Sequence, residues 1–251
     1  MAIRLIDGSV FLHIPKTGGN WVTEVLQEQG LIKEFLGHKH SNWSRLLFYD
    51  PLSEKPIKNI IKQRAHNRYD RIFNKKSVEE QYEDSLPFAF CFVREPSKWY
   101  ESWWKYMTNR GWNEWGKVNS KRYWHPNSIL NGLGDSDFNQ FMINVLNKRP
   151  GYITELFHSF TNEGINFIGK NENLKEDLIK VLTHLNLSFD EDFILNYKKV
   201  NESPNKLKVI WDPKIKDKVL ELEKSAYFHY DYLNSTDSKF NLKHPAIQKV
   251  I

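Results

Sequence analysis

Two short stretches of this 251-residue chain combine cationic side chains with glycine or serine in a way that can hold an anion. The first covers residues 15–21 and reads Pro-Lys-Thr-Gly-Gly-Asn-Trp. A glycine-containing loop at the start of a helix offers main-chain N–H groups and the positive end of the helix dipole to an anion, and Lys16 adds a full charge. These residues predict a binding site for a phosphate or sulfate group.

The second stretch reads Val-Arg-Glu-Pro over residues 93–96 and is followed by Ser102. Arg94 supplies a planar fork of charged donors, and Ser102 supplies a hydroxyl group further along the next helix. If both stretches follow neighbouring strands, they form two anion sites at one edge of a sheet. Such a pair of sites suits a nucleotide that carries phosphate groups at two positions.

The elements around both stretches predict this arrangement. Residues 10–14 form an apolar strand that Pro15 ends, and Asn20 caps the helix that follows. Residues 88–93 form an uninterrupted apolar run, which is typical of a strand buried on both faces of a parallel sheet. Arg94 would then lie at the carboxyl end of its strand, where open α/β sheets bind their ligands.

Further strand and helix signals follow along the chain. Residues 165–170 predict another strand, Asn171 caps a helix over residues 172–185, and a final helix starts at Asp212. The alternation of strands and helices predicts one α/β domain over residues 1–251, with a central parallel sheet flanked by helices in three layers.

Composition limits the possible partners and compartments. The formal net charge of +5 favours anionic partners but is too modest to imply nucleic acid. Cys91 is the only cysteine, which excludes an intramolecular disulfide and fits a reducing compartment. No apolar run reaches the length of a signal peptide or the roughly 18 residues of a membrane-spanning helix. We expect a soluble cytoplasmic protein without membrane insertion, although a lumenal piece of a longer anchored protein would look the same.

Two segments allow both a plain and a functional interpretation. The basic residues 57–76 form either a solvated helix face or a surface that attracts an anionic substrate. The aromatic and basic residues 109–135 form either a packed flap or a surface that stacks on a sugar or another ring. The sequence does not choose between these interpretations.

The two anion-binding stretches resemble the nucleotide-binding motifs of sulfotransferases. Residues 15–21 resemble their 5′-phosphosulfate loop, and Arg94 followed by Ser102 resembles their 3′-phosphate motif, with the spacing of eight that the family uses. The Lys-Thr-Gly-Gly form is most similar to that of heparan-sulfate-type O-sulfotransferases and their bacterial relatives. Residues 167–178 resemble a later family segment, and residues 200–206 resemble the loop that closes over the nucleotide.

The resemblance implies a P-loop-like core and a sulfuryl donor, 3′-phosphoadenosine 5′-phosphosulfate (PAPS). The reaction implied is in-line transfer to a hydroxyl of a carbohydrate or small metabolite, with 3′-phosphoadenosine 5′-phosphate (PAP) as product and no metal ion. Lys16 would stabilise the charge that builds on the leaving group. The donor-binding residues that the resemblance implies are Lys16, Thr17, Gly18, Gly19, Asn20, Trp21, Arg94, Ser102, Asn201 and Ser203.

Two residues of the first loop depart from the family pattern. Where this chain has Asn20 and Trp21, the family more often has Thr or Ser and then a small or aliphatic residue. Asn20 keeps the ability to form hydrogen bonds. Trp21 can pack against the sheet instead of contacting the ligand.

A hydroxyl acceptor also needs a general base, and histidine titrates near neutral pH. Related enzymes carry a catalytic histidine or glutamate after the first helix, and Lys-His-Ser-Asn-Trp at residues 39–43 resembles that place. The resemblance makes His40 the candidate base and His38 the second choice. The alternatives are a surface histidine, a structural histidine or a metal-binding pair, and we interpret His13 as structural or as a neighbour of the site.

Two other functions remain open from the sequence. In a P-loop kinase or NTPase the lysine follows the glycines, whereas here Lys16 precedes Gly18 and Gly19. A non-catalytic binder of anionic glycan or nucleic acid would use residues 58–76 and 109–125. Its binding would depend strongly on salt and would not require Lys16.

Overall fold

A computed structural model describes residues 2–48, 86–113, 124–162, 164–200 and 207–233. Within these ranges a five-stranded sheet lies between two groups of helices, as an α/β fold requires. The strands are β1 (Ala2–Leu5), β2 (Val10–Leu12), β3 (Ile32–Leu36), β4 (Ala89–Val93) and β5 (Phe167–Lys170). The described part of the chain contains no helix that is long and apolar enough to cross a membrane.

Acidic residues cap several of the helices. Glu95, Asp137 and Asp212 accept main-chain N–H bonds at helix starts, and the predicted start at Asp212 is confirmed. In the described ranges, short 3₁₀ helices cover Pro126–Leu130 and Asn171–Asn173. The described α-helices are α1 (Gly19–Glu28), α2 (Trp43–Phe48), α3 (Pro96–Asn109), α4 (Phe138–Lys148), α5 (Tyr152–Thr161), α6 (Leu174–His184), α7 (Glu191–Asn196), α8 (Pro213–Leu222) and α9 (Lys224–His229).

Two predicted helix caps are wrong. Gly18, not Asn20, precedes α1, and no side chain forms a capping hydrogen bond there. Asn171 opens a 3₁₀ turn, so that α6 begins only at Leu174 and again has no side-chain cap. Asparagine favours caps in general, but here the left-handed backbone of Gly18 starts the helix one residue before Asn20.

The sheet is mixed, so the prediction of a parallel sheet is wrong for one strand. The strand order is β3-β1-β2-β4-β5. β2, β4 and β5 run parallel, with Leu12 opposite Cys91 and Val93 opposite Lys170. β1 runs antiparallel to both of its neighbours, β2 and β3. The strands that precede the two motifs, β2 and β4, are therefore parallel as expected. The antiparallel strand, β1, lies next to β2.

A tight hairpin explains the antiparallel strand. The Asp7 carboxylate accepts hydrogen bonds from the main-chain N–H and the hydroxyl of Ser9, at 3.1 and 2.7 Å. Gly8 adopts φ 95° between them, a conformation that favours glycine. A connection this short joins antiparallel strands, whereas parallel strands need a crossover of a dozen or more residues.

The two faces of the sheet carry separate apolar cores. Along β4, Phe90 and Phe92 pack with α1, α6 and α7, whereas Ala89, Cys91 and Val93 pack with the helices of the opposite face. Every residue of β4 is buried, which confirms the prediction of a strand covered on both faces. The parallel strands are thus held rigidly from both sides, and their ends are fixed in space.

Candidate functional site

The three parallel strands end at one edge of the sheet, and a cavity of about 370 Å³ lies there. The residues that immediately follow β2, β4 and β5 are, in that order, His13, Arg94 and Asn171. All three line the cavity. The site therefore occupies the edge at which open α/β sheets bind their ligands.

The loop between β2 and α1 presents main-chain groups to this cavity. Lys16 and Gly18 adopt left-handed conformations, with φ of 64° and 89°. The hydroxyl of Thr17 donates to the Ile14 carbonyl at 2.9 Å, so this side chain shapes the loop from within. Because no side chain caps α1, the first N–H groups of the helix remain available to an anion.

Gly18 lies close to the opposite wall, so a larger residue there would have to displace side chains of that wall and also adopt a left-handed backbone. A Cβ atom at this position would come within 2.6 Å of Leu174 Cδ2 and 2.7 Å of Asn171 Nδ2. Both of these residues line the cleft beside the loop. The glycine therefore serves two purposes, the left-handed turn and the close approach of the loop to the segment after β5.

Lys16 carries an incompletely compensated charge. Its ammonium lies 4.4 Å from the ring centre of Tyr106, and within the described residues no carboxylate lies within salt-bridge distance of it. Burial, and then the neighbouring charges of Arg94 and Lys39, lower the pKa of Lys16 to about 8. A buried cation without a partner ion is costly, and an anionic ligand would relieve that cost.

Arg94 has hydrogen-bonding capacity that the described residues do not use. Its Nη1 donates a long bond of 3.4 Å to the Lys16 carbonyl, and its Nε is buried with no hydrogen-bond partner among the described residues. Burial lowers the pKa of the Arg94 guanidinium, while Glu172 and Glu101 act in the opposite direction. Ser102, on α3, lines the same cavity as Arg94.

Of the two candidate bases, the structure places His40 in the cavity wall. His40 is buried, and its Nδ1 lies 2.9 Å from the His13 carbonyl. His38 instead contacts Trp124 with ring centres 6.5 Å apart, and it is not part of the wall. Burial, followed by the nearby His13 and His125, lowers the pKa of His40 well below its usual range.

A second and larger space of about 570 Å³ adjoins the first. Glu101, Glu172 and Lys105 are among its lining residues. The two spaces form one cleft, because they share the lining residues Gly18, Trp21, Arg94, Ser102, Asn171 and Val200. Most of the residues predicted to bind a nucleotide thus meet in one place, although they come from distant parts of the chain.

Trp21 has a structural role as well as a place in the wall. It belongs to the core that contains Phe11 and Phe90, and only 5% of it is exposed. Its indole nitrogen donates to the Lys198 carbonyl at 3.1 Å. The predicted packing of Trp21 against the sheet is confirmed, and the ring also anchors the segment that leads to residue 200.

Several residues of the cavity were missed by the sequence interpretation. Tyr106 could have been found, since it lies four residues after Ser102 on α3, and Trp103 could have been found from its position three residues before Tyr106. Asn171 could have been found as the residue after a parallel strand. His125 lies within the aromatic and basic segment 109–135, but no sequence signal distinguishes it from the rest of that segment.

Some predictions fall on parts of the chain that the structure does not describe. Asn201 and Ser203 lie outside the described residues, as does the basic segment 57–76. Residues 114–123 of the aromatic segment also lie outside them. The roles predicted for these residues stay predictions.

The histidine cluster formed by His13, His40 and His125 is not arranged as a metal centre. Within the described ranges, no group of three or more histidine, cysteine, aspartate or glutamate side chains could hold a metal ion. His40 contacts His13 and His125 edge to face, with interplanar angles of 75° and 81°. Such rings pack against one another instead of converging on a common point.

In comparisons with family models, curated proteins and solved structures, nothing matches this chain. The family suggested by residues 15–21, Arg94 and Ser102 therefore stays a proposal. What can be concluded about function rests on the geometry of the cleft and on the chemistry of its side chains.

Proposed function

We propose that this protein is a PAPS-dependent sulfotransferase with a P-loop-like core, which transfers a sulfuryl group to a hydroxyl of a carbohydrate or small metabolite. One observation carries the proposal. The loop that contains Lys16 and the pair Arg94 and Ser102 line one cleft at the ends of adjacent parallel strands. Two cationic anion sites in one cleft match the two phosphate-bearing ends of this donor.

The residues present fit the donor at both ends. The uncapped start of α1 and the Lys16 ammonium would bind the 5′-phosphosulfate, as helix starts and lysines bind anions elsewhere. The unpaired Nε of Arg94 and the hydroxyl of Ser102 would bind the 3′-phosphate. A bound phosphate would give the buried Nε a partner that the described part of the chain does not supply.

Two carboxylates near Arg94 already accept other hydrogen bonds. Glu172 accepts from the hydroxyl of Tyr232 at 3.0 Å and from the main-chain N–H of Glu95 at 3.1 Å. Glu101 accepts from the indole nitrogen of Trp211 at 2.9 Å. These donors spread the negative charge away from the guanidinium, which leaves Arg94 able to bind an anion.

The proposed reaction divides its work between Lys16 and His40. When bound, PAPS supplies an activated sulfuryl group whose bond to the 5′-phosphate oxygen breaks as the acceptor oxygen bonds to sulfur. Lys16 and the loop amides stabilise the charge that develops on the departing oxygen. His40 accepts the proton of the acceptor hydroxyl, and such a general base typically contributes about 10²–10⁴ in rate.

The nucleotide half of the proposal is tested by thermal unfolding with PAP. At a hundred times its dissociation constant, a ligand stabilises the native state by about 2.7 kcal/mol, which corresponds to a rise of several degrees in Tm. Lys16→Ala should greatly reduce this shift. Lys218→Ala should not, because Lys218 is an exposed lysine on α8 that lies outside the cleft.

The transfer half is tested by incubation with isotopically labelled PAPS and a panel of carbohydrate and small-molecule hydroxyl acceptors, read by mass spectrometry. We expect label in at least one acceptor, and a loss of turnover of at least about 10²-fold in Lys16→Ala. A Tm shift with ATP and Mg²⁺ but none with PAP would overturn the proposal in favour of a kinase. Salt-sensitive glycan binding that persists in Lys16→Ala, without transfer, would favour a non-catalytic binder.

A further inference from the structure

The hydrogen bond of His40 fixes the position of its proton. Nδ1 lies 2.9 Å from the main-chain oxygen of His13, and a carbonyl oxygen can only accept. Neutral His40 therefore carries its proton on Nδ1. Nε2 then holds a lone pair, and no hydrogen-bond partner of this atom is found among the described residues. Because His40 lines the cavity, Nε2 is the nitrogen left to act there.

The His40 ring lies between two other imidazoles. Its centre is 4.6 Å from that of His13 and 4.8 Å from that of His125. All three histidines are at least nine-tenths buried. His13 is in turn held by Gly19, where an added Cβ would come within 2.0 Å of its ring. The ring of His40 is thus packed between the rings of His13 and His125, which come from two distant parts of the chain.

His125 is itself held in one orientation and one tautomer. Its Nδ1 accepts the main-chain N–H of Asn127 at 3.1 Å and so caps the 3₁₀ helix Pro126–Leu130. Its ring stacks on Trp103, with centres 6.2 Å apart and an interplanar angle of 23°. A proton on Nδ1 would break the cap, so the packed geometry requires neutral His125.

The geometry points to His125 as a positioning residue for catalysis: its ring fixes the His40 ring edge-on and excludes water from it, so that His40 stays a neutral base with Nε2 directed to the acceptor. This inference rests on the proposed function, because it assigns His40 the role of base. His125 acts through His40 and is distinct from the groups that bind the nucleotide.

The charges around the cluster support the same conclusion. Burial, then the neighbouring histidines and to a smaller extent the chain's amino group, lower the pKa of His40, while its bond to His13 acts in the opposite direction. Burial lowers the pKa of His13 and of His125, the latter to about 3, and the charge of Lys39 adds to the effect of burial on both. Charging any ring would therefore place a cation in a buried, already positive environment.

The test compares two substitutions of His125. In His125→Asn the side-chain oxygen can replace Nδ1 as the cap, since asparagine is a favoured N-cap residue, but the ring against His40 is lost. His125→Ala loses both the cap and the ring. His158→Asn, an exposed histidine on α5, is the matched control. Nitrogen-15 NMR of the histidine side chains reports the tautomer and titration of His40 in each protein, without any need for activity.

We expect wild-type His40 to remain neutral, with its proton on Nδ1, at pH values at which an ordinary histidine becomes protonated. In His125→Asn its midpoint should move up towards the ordinary value of about 6.5, although the Tm stays close to wild type. In a transfer assay, the pH at which kcat/KM falls on the acid side should rise together with the His40 midpoint. His158→Asn should change neither the midpoint nor this pH. An unchanged His40 titration in His125→Asn, or wild-type His40 that titrates normally, would overturn the inference. If no acceptor is sulfated but the NMR shift appears, the proposed function fails while the positioning of His40 stands.

Discussion

The indole nitrogen of Trp99 donates a 2.7 Å hydrogen bond to the main-chain oxygen of Pro15. This bond joins α3, the helix that carries Ser102, to the loop that carries Lys16. Trp99 is fully buried, so the bond is shielded from water. The loop that contains Lys16 and the helix that carries Ser102 are therefore coupled directly, and the separation of the two proposed phosphate sites depends on this contact as well as on the sheet.

Trp99→Phe should weaken the site as well as the fold. The change leaves the Pro15 carbonyl without this partner, which costs about 1–3 kcal/mol in unfolding free energy, and it lets the loop move relative to α3. Urea denaturation measures the first effect, and PAP affinity measures the second. Trp112→Phe is the matched control, since the Trp112 indole nitrogen has no hydrogen-bond partner among the residues that the structure describes. Equal loss of PAP affinity in both variants would contradict the coupling.

Gly18→Ala should prevent the loop from closing on the cleft wall. The substitution combines a left-handed backbone with a Cβ only 2.6 Å from Leu174. Gly30→Ala is the control, because Gly30 also has a positive φ, 67°, but has nothing within 4 Å of an added Cβ. We expect Gly30→Ala to lose about 1 kcal/mol of stability and to keep PAP binding, whereas Gly18→Ala loses more stability and most of the binding. Comparable PAP affinities would argue against a close approach at Gly18.

Lys16 should make nucleotide binding sensitive to alkaline pH. Its pKa is lowered to about 8, so the ammonium is present below that pH and is lost as the pH rises through it. Above pH 8 the affinity for PAP should fall by up to about tenfold per pH unit, because binding then requires uptake of a proton. Isothermal titration calorimetry over this range measures the effect. In Lys16→Arg the alkaline loss should disappear, since the guanidinium stays charged; its persistence would assign the titration to another group.

Arg94 should decide whether the 3′-phosphate is recognised. Arg94→Ala is expected to weaken PAP binding by about 10–100-fold, the worth of a hydrogen bond to a charged group, and to leave binding of AMP nearly unchanged. Competition between the two nucleotides measures the ratio directly. Arg149→Ala, a change of an exposed arginine outside the cleft, should leave that ratio as it is. A parallel loss for both nucleotides would place Arg94 at the 5′ end instead.

Glu223 should stabilise the fold without taking part in the site. This fully buried carboxylate accepts the hydroxyl of Tyr100, the main-chain N–H groups of Ile153 and Thr154, and the Thr154 hydroxyl. Glu223→Gln presents an amide donor to groups that are donors themselves, and it should cost on the order of 3 kcal/mol in unfolding free energy. Glu221→Gln, at an exposed position, should stay within about 0.5 kcal/mol of wild type. Similar urea midpoints for both variants would contradict this role.

The strands and caps that were predicted correctly have strong local signals. The run 88–93 is continuously apolar, and Asp212 before Pro213 is a common helix start. β1 and β3 were missed although they are no shorter than β5. β3 is a half-exposed edge strand that contains two charged residues and so lacks a continuous apolar run. The Asp-Gly-Ser turn at residues 7–9 was the available signal for the hairpin, and it would also have indicated the antiparallel strand.

Local sequence patterns indicate the kinds of groups available for chemistry: a lysine in a glycine-containing loop, an arginine after a buried strand, and several histidines. The order of residues along the chain predicts these groups and most of the strands and helices that carry them. Tertiary packing places Asn171 and His125 in the same cavity wall as Lys16, and it places His40, not His38, in that wall. These contacts join segments tens of residues apart across the sheet edge, and packing between helices, which has no local signature, decides which side chains meet there.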